Sequence, residues 1–304
     1  MAMKNAKNVH FLQIDHQVKN IFSLEGVVVM PSPIAYKKYP WTKRLFLNEP
    51  KEGYFIWVKK QVDFPLRTCI SLASFKTSQN LSNLMIIEKN LKIKAEVLCN
   101  ALKNNLYGIH QAKGKLILKE GASLEYNHFH FWGENDLVNP DYEFYLGKGA
   151  KLFYHYKNFQ PPKNLNFKTS LELEKDSQVD LKVDILANKS LVNLEENLIL
   201  KGENSKGIIR LRLVSKNKSE IKSLAKITAL NKATGHLDCQ GRLVDNYSKI
   251  SLIPNLVCLN KNAQLTHEAS IGKISEEELI YLRSRGLTEK EAIDLIINGF
   301  LENF

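Results

Sequence analysis

The sequence of 304 residues has no long hydrophobic run and little glycine or proline, with 15 glycines and 9 prolines. Because 44% of its residues are hydrophobic and 25% are charged, collagen-like, low-complexity and disordered chains are excluded. Apolar runs such as residues 27–30 are far shorter than the roughly 18 residues of a membrane-spanning helix. The opening residues also lack the apolar stretch of a secretory signal. We therefore expect a globular protein of the cytoplasm that does not enter a membrane.

Cysteine is also scarce, and the sequence contains none of the common catalytic motifs. The four cysteines, at positions 69, 99, 239 and 258, form no CxxC pair and no disulfide framework. In a reducing compartment such single thiols are either buried hydrophobic groups or reactive ones. The motifs HExxH, GxSxG, GxxxxGK[ST] and GxGxxG are all absent.

Charge is distributed unevenly along the chain. The formal net charge is +11, although residues 275–304 contain seven acidic and only three basic side chains. The positive body indicates either an anionic partner or a sheet whose lysines prevent pairing at its edges. No zinc-finger, helix-turn-helix or RNA-binding signature accompanies this charge, so nucleic-acid binding is not predicted.

A repeat governs the middle of the sequence. A turn-forming polar pair followed by a small residue recurs at intervals of about 14 or 28 residues, and the intervening residues alternate between apolar and polar, as in 165–186. A short, fixed period of strands and turns is typical of a solenoid. We predict an all-β core that forms a right-handed parallel β-helix. The alternative, a jelly roll or sandwich, would need less regular strand spacing. The repeated small residues are Ala95, Ala122, Ala150, Ser177, Ser205, Ser219, Ala233, Ser248 and Ala263.

The pattern changes at both ends of this repeat. Residues 1–84 contain several prolines and two strand-like stretches, which predicts a small irregular N-terminal cap before a β-helix core at 85–274. In residues 275–304, two S/T-x-x-E capping boxes begin at Ser275 and Thr288, and glycines follow at Gly286 and Gly299. Two short helices are therefore predicted, at about 276–285 and 289–298. Helices this short need a packing partner, either the last turn of the β-helix or another protein.

Candidate chemical groups fall into two blocks of the sequence. In the segment HFHFW, alternation along a strand places His128, His130 and Trp132 on one face and Phe129 and Phe131 on the other. We expect the phenylalanines in the core and the histidines at solvent or at an interface, as part of a plain exposed strand or of a ligand or relay site. The first block contains Cys99, His110, His128, His130 and Trp132, and the second contains Cys239, Cys258, His267 and Glu268.

Two segments resemble a known family. Residues 262–300, NAQLTHEASIGKISEEELIYLRSRGLTEKEAIDLIINGF, are similar to the C-terminal signature of the SufB/SufD family, the scaffold components of the Suf iron–sulfur cluster assembly machinery. VLCN at 97–100, His110 and the strand that ends at Trp132 resemble the central block of that family. The match can be followed from about residue 85 to the end of the chain.

Within that family the chain looks more like SufB, in a compact form that lacks the long helical N-terminal region of many SufB proteins. Cys99 lies 11 residues before His110, and Cys239 lies 28 residues before His267, as the two blocks require. The resemblance implies that Cys99 is the sulfur acceptor. We expect the pKa of its thiol to be lowered by nearby lysines in the sequence, Lys92, Lys94 and Lys103. Two departures are Thr266, at a commonly acidic position, and His130, where glutamine is usual. The resemblance also implies cluster ligands at Cys239, His267 and Glu268, and a sulfur route or supporting residues at His110, His130 and Trp132.

The resemblance implies a scaffold, not an enzyme, that accepts sulfur and builds a transient Fe–S cluster at a subunit interface. A storage site would normally supply four cysteines, so sparse, mixed ligands suit a cluster that must be released. ATP hydrolysis would come from a SufC-type ABC ATPase, because this chain lacks a phosphate loop. The sequence does not indicate flavin, which some complexes of this family bind. The expected docking residues on the C-terminal helices are Leu279, Ile280, Leu282, Arg283, Ile293, Ile296 and Phe300.

The sequence leaves some alternatives open. The chain could pair with itself or with a SufB/SufD paralogue. It could instead be a SufD-like structural subunit, in which Cys99 and Cys239 are core thiols that do not bind the cluster. A cytosolic β-helix enzyme that acts on an anionic polymer is a more remote alternative, because it would need convergent carboxylates.

Overall fold

The computed structural model describes residues 9–46 and 48–302. Parts of the predicted N-terminal cap (1–8 and 47) and of the predicted C-terminal segment (303–304) lie outside the described residues. A 3-10 helix at Pro40–Leu45 lies between the first helix and the fourth strand. The remaining elements are β1 (Phe11–Ile14), β2 (Gln17–Ile21), β3 (Val27–Pro31), α1 (Ser32–Lys38), β4 (Tyr54–Val58), β5 (Leu66–Leu72), β6 (Ser78–Ile87), β7 (Lys92–Ala101), β8 (Ile109–Leu118), β9 (Ser123–Phe131), β10 (Leu137–Leu146), β11 (Lys151–Gln160), β12 (Asn164–Leu173), β13 (Gln178–Asn188), β14 (Leu191–Leu200), β15 (Lys206–Lys216), β16 (Glu220–Ala229), β17 (Thr234–Leu243), β18 (Lys249–Cys258), β19 (Gln264–Lys273), α2 (Glu276–Ser284) and α3 (Glu289–Glu302).

Successive strands alternate between two parallel sheets. One sheet contains the odd-numbered strands from β5 to β19, extended by β1 and β2, and the other contains the even-numbered strands from β4 to β18, extended by β3. Two strands make one turn, and about eight turns stack into a solenoid. The prediction of a parallel β-helix is therefore confirmed, and the repeat of about 14 residues is one strand with its turn.

Parallel pairing in register stacks equivalent residues of successive turns. Tyr142 pairs with Thr169, and Thr169 pairs with Glu196, so residues 27 apart in sequence become neighbours. Along each strand, alternate side chains point into the solenoid, where aromatic rings stack, such as Tyr156 on Phe167 with ring centroids 4.2 Å apart. Register thus decides which side chains meet inside.

The outward side chains form lysine–glutamate pairs between neighbouring turns. Examples are Lys119 with Glu88 at 2.7 Å and Lys168 with Glu195 at 2.9 Å. Exposed pairs of this kind contribute little stability, about 0–1 kcal/mol each. They occupy only part of the lysine on the body, so the excess of positive charge is not explained by these pairs.

The parallel pairing begins upstream of residue 85. Strand β4 already pairs with β6, and β5 pairs with β7, so the solenoid includes residues from Tyr54 onward. Before it, β1 pairs antiparallel with β2 and parallel with β5, β3 runs antiparallel to β4, and α1 and the 3-10 helix pack on the outer face of β4 and β6. The irregular N-terminal part is therefore shorter than the sequence predicts.

The C-terminal segment forms two helices, as predicted. Both capping boxes are present: the Ser275 hydroxyl accepts the Glu278 backbone N–H, and the Thr288 hydroxyl accepts that of Glu291. Helix α3 continues through Gly299 to residue 302, so the predicted end at Gly299 is wrong. The reason is packing, because Leu301 is buried with Ile297 against Val214 on the outer face of the solenoid. None of the described helices is long and apolar enough to cross a membrane.

We predict that Phe167→Ala lowers the free energy of unfolding by about 3–5 kcal/mol, because it removes a fully buried ring and leaves a cavity. Urea unfolding followed by circular dichroism would measure this effect. The matched control is Leu191→Ala on the neighbouring strand, where the side chain is 51% exposed and the expected change is small. Similar losses in both variants would contradict the register described above.

Candidate functional site

A thiol and two imidazoles meet inside the second and third turns of the solenoid, counted from β4 and β5. Strand pairing places Cys99 of β7 beside His130 of β9, and alternation along β9 turns His128 to the same interior face. The Sγ atom of Cys99 lies 3.7 Å from Nε2 of His128, which lies 2.9 Å from Nε2 of His130. All three side chains are buried, and their potential ligand atoms lie within 4.8 Å of one another.

The orientation of β9 is opposite to the sequence expectation. His128, His130 and Trp132 face inward with at most 1% exposure, whereas Phe131 faces outward and is 41% exposed. The prediction that the phenylalanines lie in the core and the histidines at the surface is therefore wrong. The prediction rested on phenylalanine being more hydrophobic than histidine. It failed because the interior supplies hydrogen-bond partners for the imidazoles, which removes most of the free-energy cost of burying them.

The hydrogen-bond partners of the two histidines are tyrosines of the next turn. The hydroxyl of Tyr154 lies 3.2 Å from Nδ1 of His128, and the hydroxyl of Tyr156 lies 2.8 Å from Nδ1 of His130. Asn158 donates to the Tyr156 hydroxyl at 3.5 Å. No local pattern in the sequence marks these tyrosines, although Tyr156 lies 28 positions after His128 and is its register partner. The 28-residue period of the sequence was the available signal.

His110 enters the same interior from the opposite sheet. Its Nδ1 lies 3.0 Å from the side-chain oxygen of Gln79, and its ring centroid lies 4.7 Å from that of Trp132 and 6.1 Å from that of His130. The structure thus brings together His110, His130 and Trp132, which the sequence grouped as possible route or supporting residues.

Burial sets the protonation of this interior. Desolvation raises the pKa of the Cys99 thiol well above its ordinary value and lowers the pKa of His110 and of His128 to about 3. The expectation that lysines lower the pKa of Cys99 is wrong, because the nearby lysines lie on the outer face. Lys94, for example, pairs with Glu125 at 2.8 Å and is exposed. The thiol and the imidazoles are therefore neutral near pH 7.

The second group of predicted residues lies at the C-terminal end of the solenoid. In the pairing of β17 with β19, His267 is next to the buried Leu237, and Ala269 is next to Cys239. Cys239 and His267 therefore share the inner face on adjacent strands. His267 is exposed because β19 is the last strand of its sheet and no further turn within the described part of the chain covers it.

Glu268 lies on the other face of β19. Its carboxylate is 3.7 Å from Nε2 of the outward-facing His236. Cys239 and His267 thus lie on the inner side of the open end and Glu268 on the outer side, and these three do not form a close ligand group among the described residues. Burial, followed by the charges of Glu196 and Asp238, raises the pKa of Cys239 to about 12.

The two cysteines are separated along the solenoid axis. Five strand spacings lead from β7 to β17, which corresponds to about 24 Å at 4.8 Å per spacing. Most of the inner residues of β13 and β15 between them, such as Val183 and Leu211, are apolar. On the opposite sheet, Glu196 is fully buried and electrostatically coupled to both Tyr154 and Cys239.

Glu196 is a buried carboxyl group that no pattern in the sequence marks. Apart from its own backbone N–H, its side-chain oxygens have no hydrogen-bond partner in the described part of the chain. Desolvation raises its pKa to about 8, so it is mostly protonated and neutral near pH 7.

These features define a β-helical scaffold with thiols and imidazoles in its interior and at its open end. Residues 71–300 match the family model described as SUF system FeS cluster assembly, SufBD core domain, and the chain belongs to this SufBD family. It is 30% identical to an "Iron-sulfur cluster assembly SufBD family protein" of Archaeoglobus fulgidus, over 98% of this chain and 86% of that protein. A relative of the same description from Methanothermobacter thermautotrophicus is 29% identical, over 96% of this chain and 77% of that protein.

We predict that Glu196→Gln removes a pH-dependent loss of stability. Between about pH 4.5 and 8, the carboxyl group is ionised in the unfolded chain but stays protonated in the folded one, so rising pH favours unfolding by about 1.4 kcal/mol per pH unit. The advantage of the variant in free energy of unfolding should therefore increase from pH 5 to pH 8. Urea melts at several pH values would measure it. Glu195→Gln, at an exposed position of the same strand, is the control, and a pH-independent difference for Glu196→Gln would contradict this assignment.

Proposed function

We propose that this chain is a SufB-like scaffold that accepts sulfur and builds a labile Fe–S cluster at the open end of its β-helix. The observation that carries this proposal is the placement of Cys239 and His267 on the inner side of the last two strands of one sheet. Nothing in the described chain covers His267 from beyond β19, so iron and sulfide have access to this edge.

The donor set at this end fits a cluster that is assembled and released. One thiolate, one imidazole and one carboxylate are fewer and more mixed than the four thiolates of a typical permanent cluster. Cys239 and His267 would bind from the inner side, and Glu268 would bind from the outer side of the same edge strand. A second chain would complete the coordination, and the mixed ligands would leave the cluster labile.

The open end also supports pairing with a second chain, either another copy or a SufB/SufD paralogue. Strands β18 and β19 form the edges of their sheets, and such edges present unpaired backbone groups to a partner. Apolar side chains of these strands are uncovered, with Ile253 55% and Ile271 45% exposed. A partner strand would satisfy the backbone and cover these residues.

Cys99 would accept sulfur. In that step the Cys99 thiolate attacks the outer sulfur of a donor persulfide, a new S–S bond forms at Cys99, and the donor thiolate leaves. Nε2 of His128 lies 3.7 Å from Sγ, but burial lowers the pKa of that imidazole to about 3, so the thiol proton would pass to the departing donor thiolate and not to the histidine. His110, His130 and Trp132 would line the start of a sulfur route toward Cys239, and Glu196 would lie near its end.

A SufC-type ATPase would dock on the C-terminal helices. Helix α2 has no buried residue among those described, and its Ile280 and Tyr281 are 62% and 59% exposed. Leu279, Leu282 and Arg283 extend this surface. Ile293 and Phe300 of α3 partly pack against the solenoid. Ile296 lies between them on the same helix. Under this proposal the residues of α2 would contact the ATPase, whereas Ile293 and Phe300 mainly attach α3 to the solenoid.

A SufD-like structural role is the second candidate. The observation that favours it is the burial of both thiols, with Cys99 1% and Cys239 2% exposed. Under this alternative neither cysteine would bind iron. Alkylation of the native chain separates the two roles, because a scaffold thiol must become accessible during its cycle, whereas a core thiol reacts only after unfolding.

We predict that Cys239→Ser abolishes most cluster formation, because the serine hydroxyl is a poor iron ligand at neutral pH. The chain would be reconstituted with iron and sulfide under argon, and the charge-transfer absorbance of the cluster would be measured. The control is Cys69→Ser, which removes a half-buried thiol far from the open end. Unchanged absorbance in Cys239→Ser would exclude this ligand.

We further predict that Ile280→Glu weakens binding of the SufC-type ATPase by at least tenfold, because a charge enters the apolar surface of α2. Co-purification and calorimetric titration would measure the affinity. Leu259→Glu is the control, since this leucine is 67% exposed but lies in the turn before β19. Equal affinities for wild type and Ile280→Glu would place the docking surface elsewhere.

A further inference from the structure

We propose that Cys99, His128 and His130 form a binding site for a single thiophilic first-row transition-metal ion inside the solenoid. The ligand atoms would be Sγ of Cys99 and Nε2 of both histidines. This proposal goes beyond the proposed function, because neither sulfur acceptance nor cluster assembly at the open end requires a mononuclear ion at Cys99.

The spacing of the three atoms fits one ion. With bonds of about 2.0–2.1 Å to nitrogen and 2.3 Å to sulfur, a tetrahedral ion separates two nitrogen ligands by about 3.3 Å, and sulfur from nitrogen by about 3.6 Å. The corresponding separations are 2.9 Å between the two Nε2 atoms and 3.7 Å between Sγ and Nε2 of His128. The third separation, from Sγ to the ring nitrogen of His130, is at most 4.8 Å, so shifts of up to about 1 Å would bring the three atoms to the distances of one tetrahedral ion.

The groups that contact Nδ1 of His128 and His130 also suit metal binding. When Nε2 of each ring binds an ion, Nδ1 must carry the proton and needs an acceptor. The hydroxyls of Tyr154 and Tyr156 lie at these two Nδ1 atoms, at 3.2 and 2.8 Å. A hydroxyl group can donate or accept, so the tyrosines can accept both Nδ1 protons without a change of position.

Unpartnered polar groups surround the same space, which is an independent indication of a ligand. Within the described residues, Nε2 of His110 and the hydroxyl of Tyr142 are buried and have no hydrogen-bond partner. The His110 ring lies 6.1 Å from that of His130, and the Tyr142 ring lies 5.2 Å from that of His128. Buried polar atoms are rarely left unpaired, and an ion with a bound water or hydroxyl group would give them partners.

The donor set defines the class of ion. One thiolate with two imidazoles favours zinc, ferrous iron and copper over magnesium or calcium, which prefer oxygen ligands. Coordination would keep Cys99 as a thiolate. Because the three ligands are at most 1% exposed, the ion would be taken up while the chain folds or during local opening of the solenoid.

The test begins with loading in the cell. The full chain would be expressed in separate media supplemented with zinc, iron or copper and purified under argon, and its metal content would be measured by plasma mass spectrometry. We expect about one ion per chain in at least one medium, and X-ray absorption should detect one sulfur and two imidazole ligands around it. The three media distinguish the ions of this class.

Four variants locate the ion. Cys99→Ser and His130→Gln should lose at least tenfold in bound metal, whereas Cys69→Ser and Cys239→Ser should keep it. Glutamine at position 130 can still contact the Tyr156 hydroxyl, and circular dichroism verifies the fold of each variant. Wild-type protein without metal from any medium, or equal metal in Cys99→Ser and wild type, would overturn the proposal.

A persulfide assay separates this inference from the proposed function. Sulfur on Cys99 of a metal-free wild-type chain would support sulfur acceptance and count against the ion. A bound ion that depends on Cys99, together with no sulfur acceptance, would support the ion site and count against the acceptor role.

Discussion

The parallel, in-register pairing of every second strand is the constraint on which the rest of this structure depends. It places residues about 28 positions apart beside one another and gives each inner row of the solenoid a fixed set of neighbours. Cys99 meets His130 because β7 pairs with β9, and Cys239 lies beside Ala269 because β17 pairs with β19. A shift of one residue in either pair would move these side chains to the opposite face.

The interior is unusually polar in one part of the solenoid. Most inner positions carry leucine, isoleucine or valine, but the turns that contain β9 and β11 bury three histidines, several tyrosines and an asparagine. Burying these groups costs free energy that an apolar core would avoid, even where hydrogen bonds recover part of it. The concentration of this cost around Cys99 indicates a functional role for this region.

The sequence predicted the architecture well, because the repeat of small residues and the alternation between them report directly on strands and turns. It also predicted both C-terminal capping boxes, which depend only on local contacts of Ser275 and Thr288. It did not predict which side chains of β9 point into the solenoid, because the alternation in HFHFW is the same with either face inward. The partners that decide this, Tyr154 and Tyr156, lie on the next turn and are identified only by register. Glu196 was missed for a similar reason, because a lone glutamate in an alternating strand has no local signal that it is buried.

The central claim is that the open end of the β-helix builds a cluster shared by two chains. Native mass spectrometry of the chain after anaerobic reconstitution tests this claim most directly, because it reports iron, sulfide and chain number in one particle. The account predicts that iron and sulfide are found only in particles with two SufBD chains. A complete cluster on a single chain would contradict it.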